Sequence, residues 1–292
     1  MSDHEGWFAG LDPDDRVGAV ERVRAGGTGM PAEWPDLAVA SGFAADADEY
    51  YEKLHEATTT AAREQVRERE RADDQQLKHG IRAMDDARRT ANELAERVAE
   101  WAGSRDDDAG TGVAYARELA ESTPPGDGGD AGNSGGDADD PGERLRALAA
   151  RTAALADEAD ELERFVETAA HDVAPNLAAM AGPVLAARLI SLAGGLEALA
   201  KMPSSTVQVL GAEEALFAHL RGSAPSPKHG VIFTHEYVRG TPEDERGSAA
   251  RALAGKLTIA ARVDRYSGER RPELDAELDE RIRTIRTRGD GS

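Results

Sequence analysis

Residues 201–230 read KMPSSTVQVLGAEEALFAHLRGSAPSPKHG, and the rest of the chain is organised around this stretch. A Pro-Ser-Ser-Thr cluster leads into a short run with several β-branched residues, a Gly-Ala step precedes an apolar helical pattern, and a Pro-Lys-His-Gly turn ends it. Loops and helix starts of this kind leave backbone N–H groups and hydroxyls available to an anion. Because Lys201 and Lys228 lie near its two ends, we predict that this stretch contacts the backbone and bases of an RNA.

The acidic residues are unevenly distributed along the 292 residues, whose formal net charge is -21. The whole excess lies in residues 1–170, whereas residues 171–292 hold equal numbers of basic and acidic residues. This asymmetry predicts an anionic partner for the C-terminal part. The alternative is that a compact alanine-rich domain simply exposes fewer carboxylates. Abundant Asp and Glu, few lysines and 4% aromatic residues also indicate adaptation to high salt.

The sequence predicts neither secretion nor a membrane span. Its first residues, MSDHEGWF, are acidic and lack a long apolar core. The most apolar window, residues 177–200, contains Pro183 and Arg188, and a mid-span arginine costs roughly 2.5–3.5 kcal/mol. We therefore expect a buried helix pair there. The absence of cysteine fits a cytoplasmic location.

The length predicts one or two domains, beginning with a small or reduced N-terminal module over residues 1–45. Glycine and proline interrupt this segment too often for a large core. Its aromatic residues can pack against each other or against another protein: Trp7, Phe8, Trp34 and Phe43.

Residues 46–173 are predicted to form a long antiparallel coiled-coil hairpin. A nearly continuous helix from Asp46 to Trp101 carries one apolar stripe, and residues 145–173 carry an uninterrupted heptad seam. The acidic, glycine-rich tip at about 103–142 is predicted to be disordered, with a weak helix starting at Val113. Since the seam is weak, we expect a second copy to complete it as a homodimer, through Leu77, Ile81, Met84, Leu94, Val98, Leu148, Leu155 and Leu162.

Residues 174–290 are predicted to form a compact helical domain, which makes the whole chain mainly α. Catalysis finds no support, because no nucleophile elbow, phosphate-binding loop or dinucleotide-binding loop occurs. His219, His229 and His235 lack the spacing of a metal site. We therefore predict no enzyme activity, no cofactor and no metal.

Within the opening stretch, Ser204, Ser205 and Gln208 offer short donors and acceptors for phosphate, ribose or base edges. His229 can stack on an unpaired base. Alternatively, the serines only cap a helix and His229 only closes a turn.

Three segments closely resemble the Nop domain of the scaffold proteins of box C/D small ribonucleoprotein particles. They are APNLAAMAGPVLAARLISLAGGLEALAKMPSSTVQVLGAEEALFAHL, PKHGVIF and RGSAARALAGKLTIAARVDRYSGE. Upstream, DLAVASGF, EYYEKLHEAT and DDQQLKHGIRAMDDARRTANELAERVAEW also resemble the family's linker and coiled coil. The resemblance covers most of residues 36–101 and 143–285.

The resemblance implies a non-catalytic scaffold that clamps a kink-turn RNA already bound by a ribosomal-type kink-turn protein, dimerises through its coiled coil and recruits a fibrillarin-like 2′-O-methyltransferase. It implies that Lys201, Ser204, Ser205 and Gln208 line the RNA face, and that Lys228 and His229 reach unpaired bases. It further implies that a helix begins against the composite RNA–protein surface at Gly211, Ala212 and Glu213. Three arginines would bind phosphates or brace the domain internally, namely Arg246, Arg251 and Arg262.

The sequence departs from the family in three places. Glu214 stands where relatives usually have lysine, the segment before Asp36 is shorter than the family's N-terminal domain, and an acidic tip follows Trp101. These departures leave open a divergent paralogue, a coiled-coil adaptor that has lost RNA or methyltransferase binding.

Overall fold

The computed structural model describes residues 8, 10–25, 33–122 and 140–289. It divides the chain into two compact units, Met1–Ala72 and Asp73–Ser292. Every regular element in the described ranges is a helix, which confirms the mainly α-helical fold class.

The first unit is built around a small aromatic core. Phe8 stacks on Phe43 with ring centroids 4.6 Å apart, and Tyr50 meets Phe8 edge-on at 5.9 Å. Tyr50 lies beyond the predicted module boundary at residue 45, so the unit extends further than the sequence suggested, because its third helix belongs to the same core. Trp7 lies outside the described residues. The helices of this unit are α1 (Arg16–Ala25), α2 (Trp34–Ala40) and α3 (Ala47–Glu70).

The start of α3 follows from its sequence. The Asp46 carboxylate accepts a hydrogen bond from the Glu49 N–H at 2.9 Å, and the Glu49 carboxylate accepts one from the Ala45 N–H at 2.6 Å. The hydrogen bond from the Ala45 N–H lowers the pKa of Glu49, and the hydrogen bond from the Lys53 ammonium lowers it further.

The predicted continuous helix is interrupted, since α3 ends at Glu70 and a new helix begins with the acidic first turn Asp73-Asp74.

The second unit begins with an antiparallel helical hairpin. A Cβ built on Gly80 would meet the Phe165 ring at 2.7 Å, and Val98 shares a buried cluster with Leu145 and Ala149. These contacts pair the beginning of one long helix with the end of the other. The helices involved are α4 (Asp73–Gly103), α5 (Gly112–Glu121) and α6 (Pro141–Val173).

The helix predicted to start at Val113 is present as α5, and it packs against both long helices, so this part of the predicted tip is ordered. Ala116 of α5 is fully buried, and Arg117 forms an ion pair with Asp157 of α6. Part of the seam is thus covered by the same chain rather than by a second copy. Residues 123–139, the most glycine-rich part of the predicted tip, lie outside the described residues.

The predicted dimerisation residues are largely used inside one chain. Leu77, Ile81, Met84 and Val98 are each no more than 1% exposed. These four side chains are therefore buried in the core of one chain, and their predicted role as dimer contacts stays a prediction. The others are half-buried, namely Leu94, Leu148, Leu155 and Leu162.

Short helices and two longer ones complete the second unit. Within the described residues no single helix qualifies as a membrane span by length and hydropathy; the pair α7 and α8 does so jointly, with a bend of 118°. The elements are α7 (Pro175–Ala181), α8 (Pro183–Ala193), α9 (Leu196–Lys201), α10 (Ser204–Val209), α11 (Glu213–Leu220), a 3-10 helix (Val231–Thr234), α12 (Glu236–Arg239), α13 (Arg246–Tyr266) and α14 (Glu273–Gly289).

A buried polar network joins the beginning of α7 to the end of α13. The Asp264 carboxylate accepts hydrogen bonds from the Asn176 N–H at 3.0 Å, the Asn176 side-chain amide at 2.6 Å and the Leu177 N–H at 2.8 Å. The Asn176 side chain also contacts the loop before α14 through the Glu269 carbonyl and the Arg271 N–H. This network satisfies the orphan donors of α7 and fixes the three segments together.

Candidate RNA interface

The turn that ends the opening stretch is held against α10 by three hydrogen bonds. The Gln208 side-chain amide donates to the Lys228 carbonyl at 2.7 Å, and the Gly230 N–H donates to the Gln208 carbonyl at 2.8 Å. The Val231 N–H donates to the Leu210 carbonyl at 2.7 Å. The sequence-predicted residues Gln208, Lys228 and His229 are therefore brought together at one end of α10.

Gly230 is required by this close approach. A Cβ at this position would lie 2.0 Å from the Leu210 carbonyl oxygen and 2.6 Å from the Val209 carbonyl carbon. Gly211, which precedes α11, has φ +82°, a conformation that favours glycine. The two glycines fix the spacing between α10, α11 and the Lys228–Gly230 turn.

His229 is positioned by an aromatic residue that the sequence reasoning did not single out. Its ring stacks on Phe233 with centroids 4.5 Å apart and an interplanar angle of 19°. The guanidinium of Arg246 lies over the same Phe233 ring at 5.8 Å. Burial, and then the charges of Arg246 and Lys228, lower the pKa of His229, so the imidazole is neutral near pH 7 and can stack on or hydrogen-bond to a base.

The two lysines of the stretch differ in environment. Lys228 is exposed and forms no ion pair with any residue that the structure describes. Lys201 forms an ion pair with Glu197 at 2.5 Å, which raises its pKa, and Glu197 also contacts Arg265 at 3.1 Å. Because this pair is exposed to solvent, it is weak, and an RNA phosphate can compete for Lys201.

The three predicted arginines also have different roles. Arg246 donates to the Thr241 carbonyl at 3.1 Å, and Arg262 donates to the Ala200 carbonyl at 3.0 Å. Both brace the domain. Arg251 is exposed and has no ion-pair partner in the described parts of the chain.

The serines and α11 complete the surface. Ser204 and Ser205 are exposed one turn before Gln208, on the same face of α10. The N-cap residue of α10 is Pro203, so neither serine occupies the capping position. The Glu213 carboxylate accepts a hydrogen bond from the Gly211 N–H at 2.8 Å, so it supports the step into α11, at which the half-buried Ala212 also lies.

Helix α11 has no buried residue along its eight positions. Phe217 and Leu220 are 58% and 71% exposed, although neither is polar. Exposed apolar side chains on an otherwise uncovered helix are typical of a protein-binding surface. The acidic Glu214 is exposed on the same helix.

No cluster of potential metal ligands occurs among the described residues. His235, the third histidine of the region, has a structural role instead. Its Nδ1 accepts from the Tyr237 N–H at 3.1 Å, and its Nε2 donates to the Met180 carbonyl at 3.1 Å. The neutral ring thus caps α12 and joins it to α7.

Stability is expected to fall as the pH drops below 6.5, because burial lowers the pKa of His235 in the folded protein. A lowered folded-state pKa means that the unfolded chain binds the proton first, so this contribution is present above pH 6.5 and is lost below it. Replacing His235 by Asn keeps a capping side chain without titration. Urea unfolding between pH 7.5 and 5 should therefore show a smaller loss of stability in His235→Asn than in the unaltered protein, whereas the exposed variant His171→Asn should retain the full loss. Equal losses in all three proteins would contradict this role.

The candidate RNA interface lies in a region of the chain whose sequence matches a known protein family. Residues 138–286, about half of the chain, match the Nop family, described as "snoRNA binding domain, fibrillarin". A NOP5 family protein of Methanocaldococcus jannaschii is 53% identical over 125 residues, and nucleolar protein 56 of Saccharomyces cerevisiae is 46% identical over 99 residues. These matches cover 43% and 34% of this chain but 30% and 20% of the relatives, so the chain spans less than a third of their length.

A chain in the crystal structure of a fibrillarin/Nop5p complex has a similar fold, with a TM-score of 0.53 and 23% sequence identity. The similarity covers 97% of this chain and 99% of that chain. This likeness supports the overall fold.

Proposed function

Because the chain belongs to the Nop family, we propose that it is a non-catalytic scaffold of a box C/D-type ribonucleoprotein. In this proposal it binds a kink-turn RNA together with the kink-turn-binding protein. The single observation that carries the proposal is the Lys228–Gly230 turn, which is held against α10 beside Gln208. It gathers the exposed Lys228 ammonium, the stacked His229 imidazole and the Gln208 amide at one end of α10.

Each group on this surface suits a different part of an RNA. The Lys228 ammonium suits a phosphate, the exposed hydroxyls of Ser204 and Ser205 suit ribose or phosphate oxygens, and His229 suits an unpaired base. The adjacent apolar face of α11, with Phe217 and Leu220, suits a protein partner. An RNA and a protein bound side by side would therefore both find complementary chemistry here.

We expect Lys228→Ala to weaken binding to a kink-turn RNA–protein complex about tenfold, because one charge-assisted contact to phosphate is lost. A gel-shift assay in high salt, with the RNA already bound by its kink-turn protein, measures this as a supershift on adding the full chain. Arg164→Ala removes the same charge from the exposed side of α6 and should leave the supershift unchanged.

A chain that gives no supershift would remove the RNA part of the proposal. The second candidate, a coiled-coil adaptor without RNA binding, would then stand. Two observations favour that candidate: Lys201 is neutralised by Glu197, and the exposed Glu214 adds negative charge to α11.

We further propose that the first unit recruits a fibrillarin-like methyltransferase and that the hairpin mediates a homodimer. The chain of similar fold was crystallised in a fibrillarin/Nop5p complex, which supports the first of these. For the dimer, contacts would have to come from hairpin residues that remain exposed, such as Phe165 at 46% exposure. Co-purification with such a methyltransferase and sedimentation of the chain alone test the two proposals separately.

A further inference from the structure

A second basic surface lies between α13 and α14, on residues that the proposed function does not fully use. The groove encloses about 480 Å³. Its cationic residues are Arg251, Lys256 and Arg281, and Ile259 and Leu278 provide apolar lining. At Gly255 a Cβ would have no atom within 4 Å, so the floor of the groove is open.

The charges in this groove are not balanced within the chain. Its one carboxylate, Glu277, forms an ion pair with Lys256. Arg251 and Arg281 form no hydrogen bond or ion pair with the residues that the structure describes. Two guanidinium groups thus face solvent from opposite walls, in a chain whose formal net charge is -21.

The neighbouring arginines of α14 show that this arrangement is particular to the groove. Arg283 pairs with Glu280 at 2.7 Å, and Arg286 donates to the Glu236 carbonyl at 3.0 Å. Arg281, which follows Asp279 and Glu280 on the same helix, instead lines the groove.

The groove is continuous with the candidate RNA interface through α13. Helix α10, which carries Ser204, Ser205 and Gln208, packs against α13. Arg262 of α13 contacts the end of α9 at the Ala200 carbonyl. A Cβ built on Gly247 of α13 would lie 4.0 Å from the Lys228 side chain, and Arg251 lies one turn further along α13, so an RNA held at Lys228 passes close to Arg251.

We propose that the α13–α14 groove binds the phosphodiester backbone of an RNA helix that flanks the segment held by Lys228 and His229. This inference rests on the proposed function. The planar fork of arginine matches two phosphate oxygens, and paired guanidinium groups across an open floor suit a backbone that passes between them. Continuity with the RNA face favours RNA over an acidic protein segment.

The test measures binding of the chain to two kinds of kink-turn RNA, each already bound by its kink-turn protein. The first kind has short flanking helices, and in the second kind one or the other of these helices is lengthened. Arg281→Gln should weaken binding of a lengthened RNA about threefold to tenfold and reduce its salt dependence by about one released counterion. The short RNA should bind Arg281→Gln as it binds the unaltered chain. Glu277→Gln should have the opposite effect and strengthen binding of the lengthened RNA, because it releases Lys256.

Arg283→Gln is the matched control, since it removes the same charge from the same helix outside the groove. Unchanged binding of every RNA by Arg281→Gln would overturn the inference while the supershift of the unaltered chain kept the proposed function intact. Equal losses with Arg283→Gln would also overturn it, because they would indicate a general effect of charge. If Arg281→Gln instead weakened binding of the kink-turn protein without RNA, the groove would be a protein-binding surface and the inference would be wrong.

Discussion

Asp264→Asn is expected to lower the free energy of unfolding of Asp73–Ser292 by about 3 kcal/mol, the largest stability effect that we predict for an isosteric change. The carboxylate is 8% exposed and accepts three hydrogen bonds from Asn176 and Leu177. An amide of the same shape offers one acceptor oxygen and turns an NH₂ group toward N–H donors. At least one buried donor then loses its partner, and the negative charge that favours the N-terminus of α7 is lost.

Urea unfolding followed by circular dichroism measures the effect, and hydrogen exchange at the Asn176 and Leu177 amides shows whether it begins at α7. Asp172→Asn makes the same chemical change at an exposed site shortly before Asn176 in the sequence and should alter stability by less than about 0.5 kcal/mol. If Asp264→Asn and Asp172→Asn unfolded at the same urea concentration, the Asp264–Asn176 network would contribute nothing to stability.

Gly230→Ala is expected to destabilise the second unit by about 2–3 kcal/mol and to weaken binding of the RNA–protein complex at least about tenfold. The added methyl group would lie 2.0 Å from a backbone oxygen, which cannot rotate aside as a side chain can. The turn must therefore move away from α10. This movement breaks the Gln208–Lys228 hydrogen bond and displaces His229 from its stacking partner.

Gly255→Ala provides a comparison with the same substitution. Gly255 lies within α13, where an added Cβ meets no atom within 4 Å, so alanine should stabilise the helix by roughly 1 kcal/mol. Opposite signs for the two variants in thermal unfolding would support the steric origin of the Gly230 effect. A Gly230→Ala protein with unaltered stability and RNA binding would show that the turn does not depend on this contact.

The sequence was most informative about local structure, where hydrophobic periodicity and helix-breaking residues determine the helices. The heptad seam over residues 145–173 predicted a long helix, and the structure has α6 over Pro141–Val173. The buried helix pair expected for residues 177–200 is present as α7 (Pro175–Ala181) and α8 (Pro183–Ala193). The resemblance to the Nop family was also visible in ordered motifs and is confirmed by the match over residues 138–286.

The sequence was less informative about partners in space. Periodicity shows that Leu77 and Met84 lie on one helix face, but not that the chain's own core covers them. Likewise, charge alone does not reveal that Lys201 is paired with Glu197 while Lys228 is unpaired within the described residues. Phe233 was missed because an aromatic residue after a turn has no signature of its own; its position four residues after His229 was the one available signal.

The Asp264–Asn176 network has a consequence for the order of folding during synthesis. Its two residues are 88 positions apart, so the start of α7 leaves the ribosome long before the carboxylate that satisfies it. Until α13 has been synthesised, the N–H groups of Asn176 and Leu177 depend on water. The nascent hairpin can form early from local contacts, but the C-terminal helices can close onto it only in a late step.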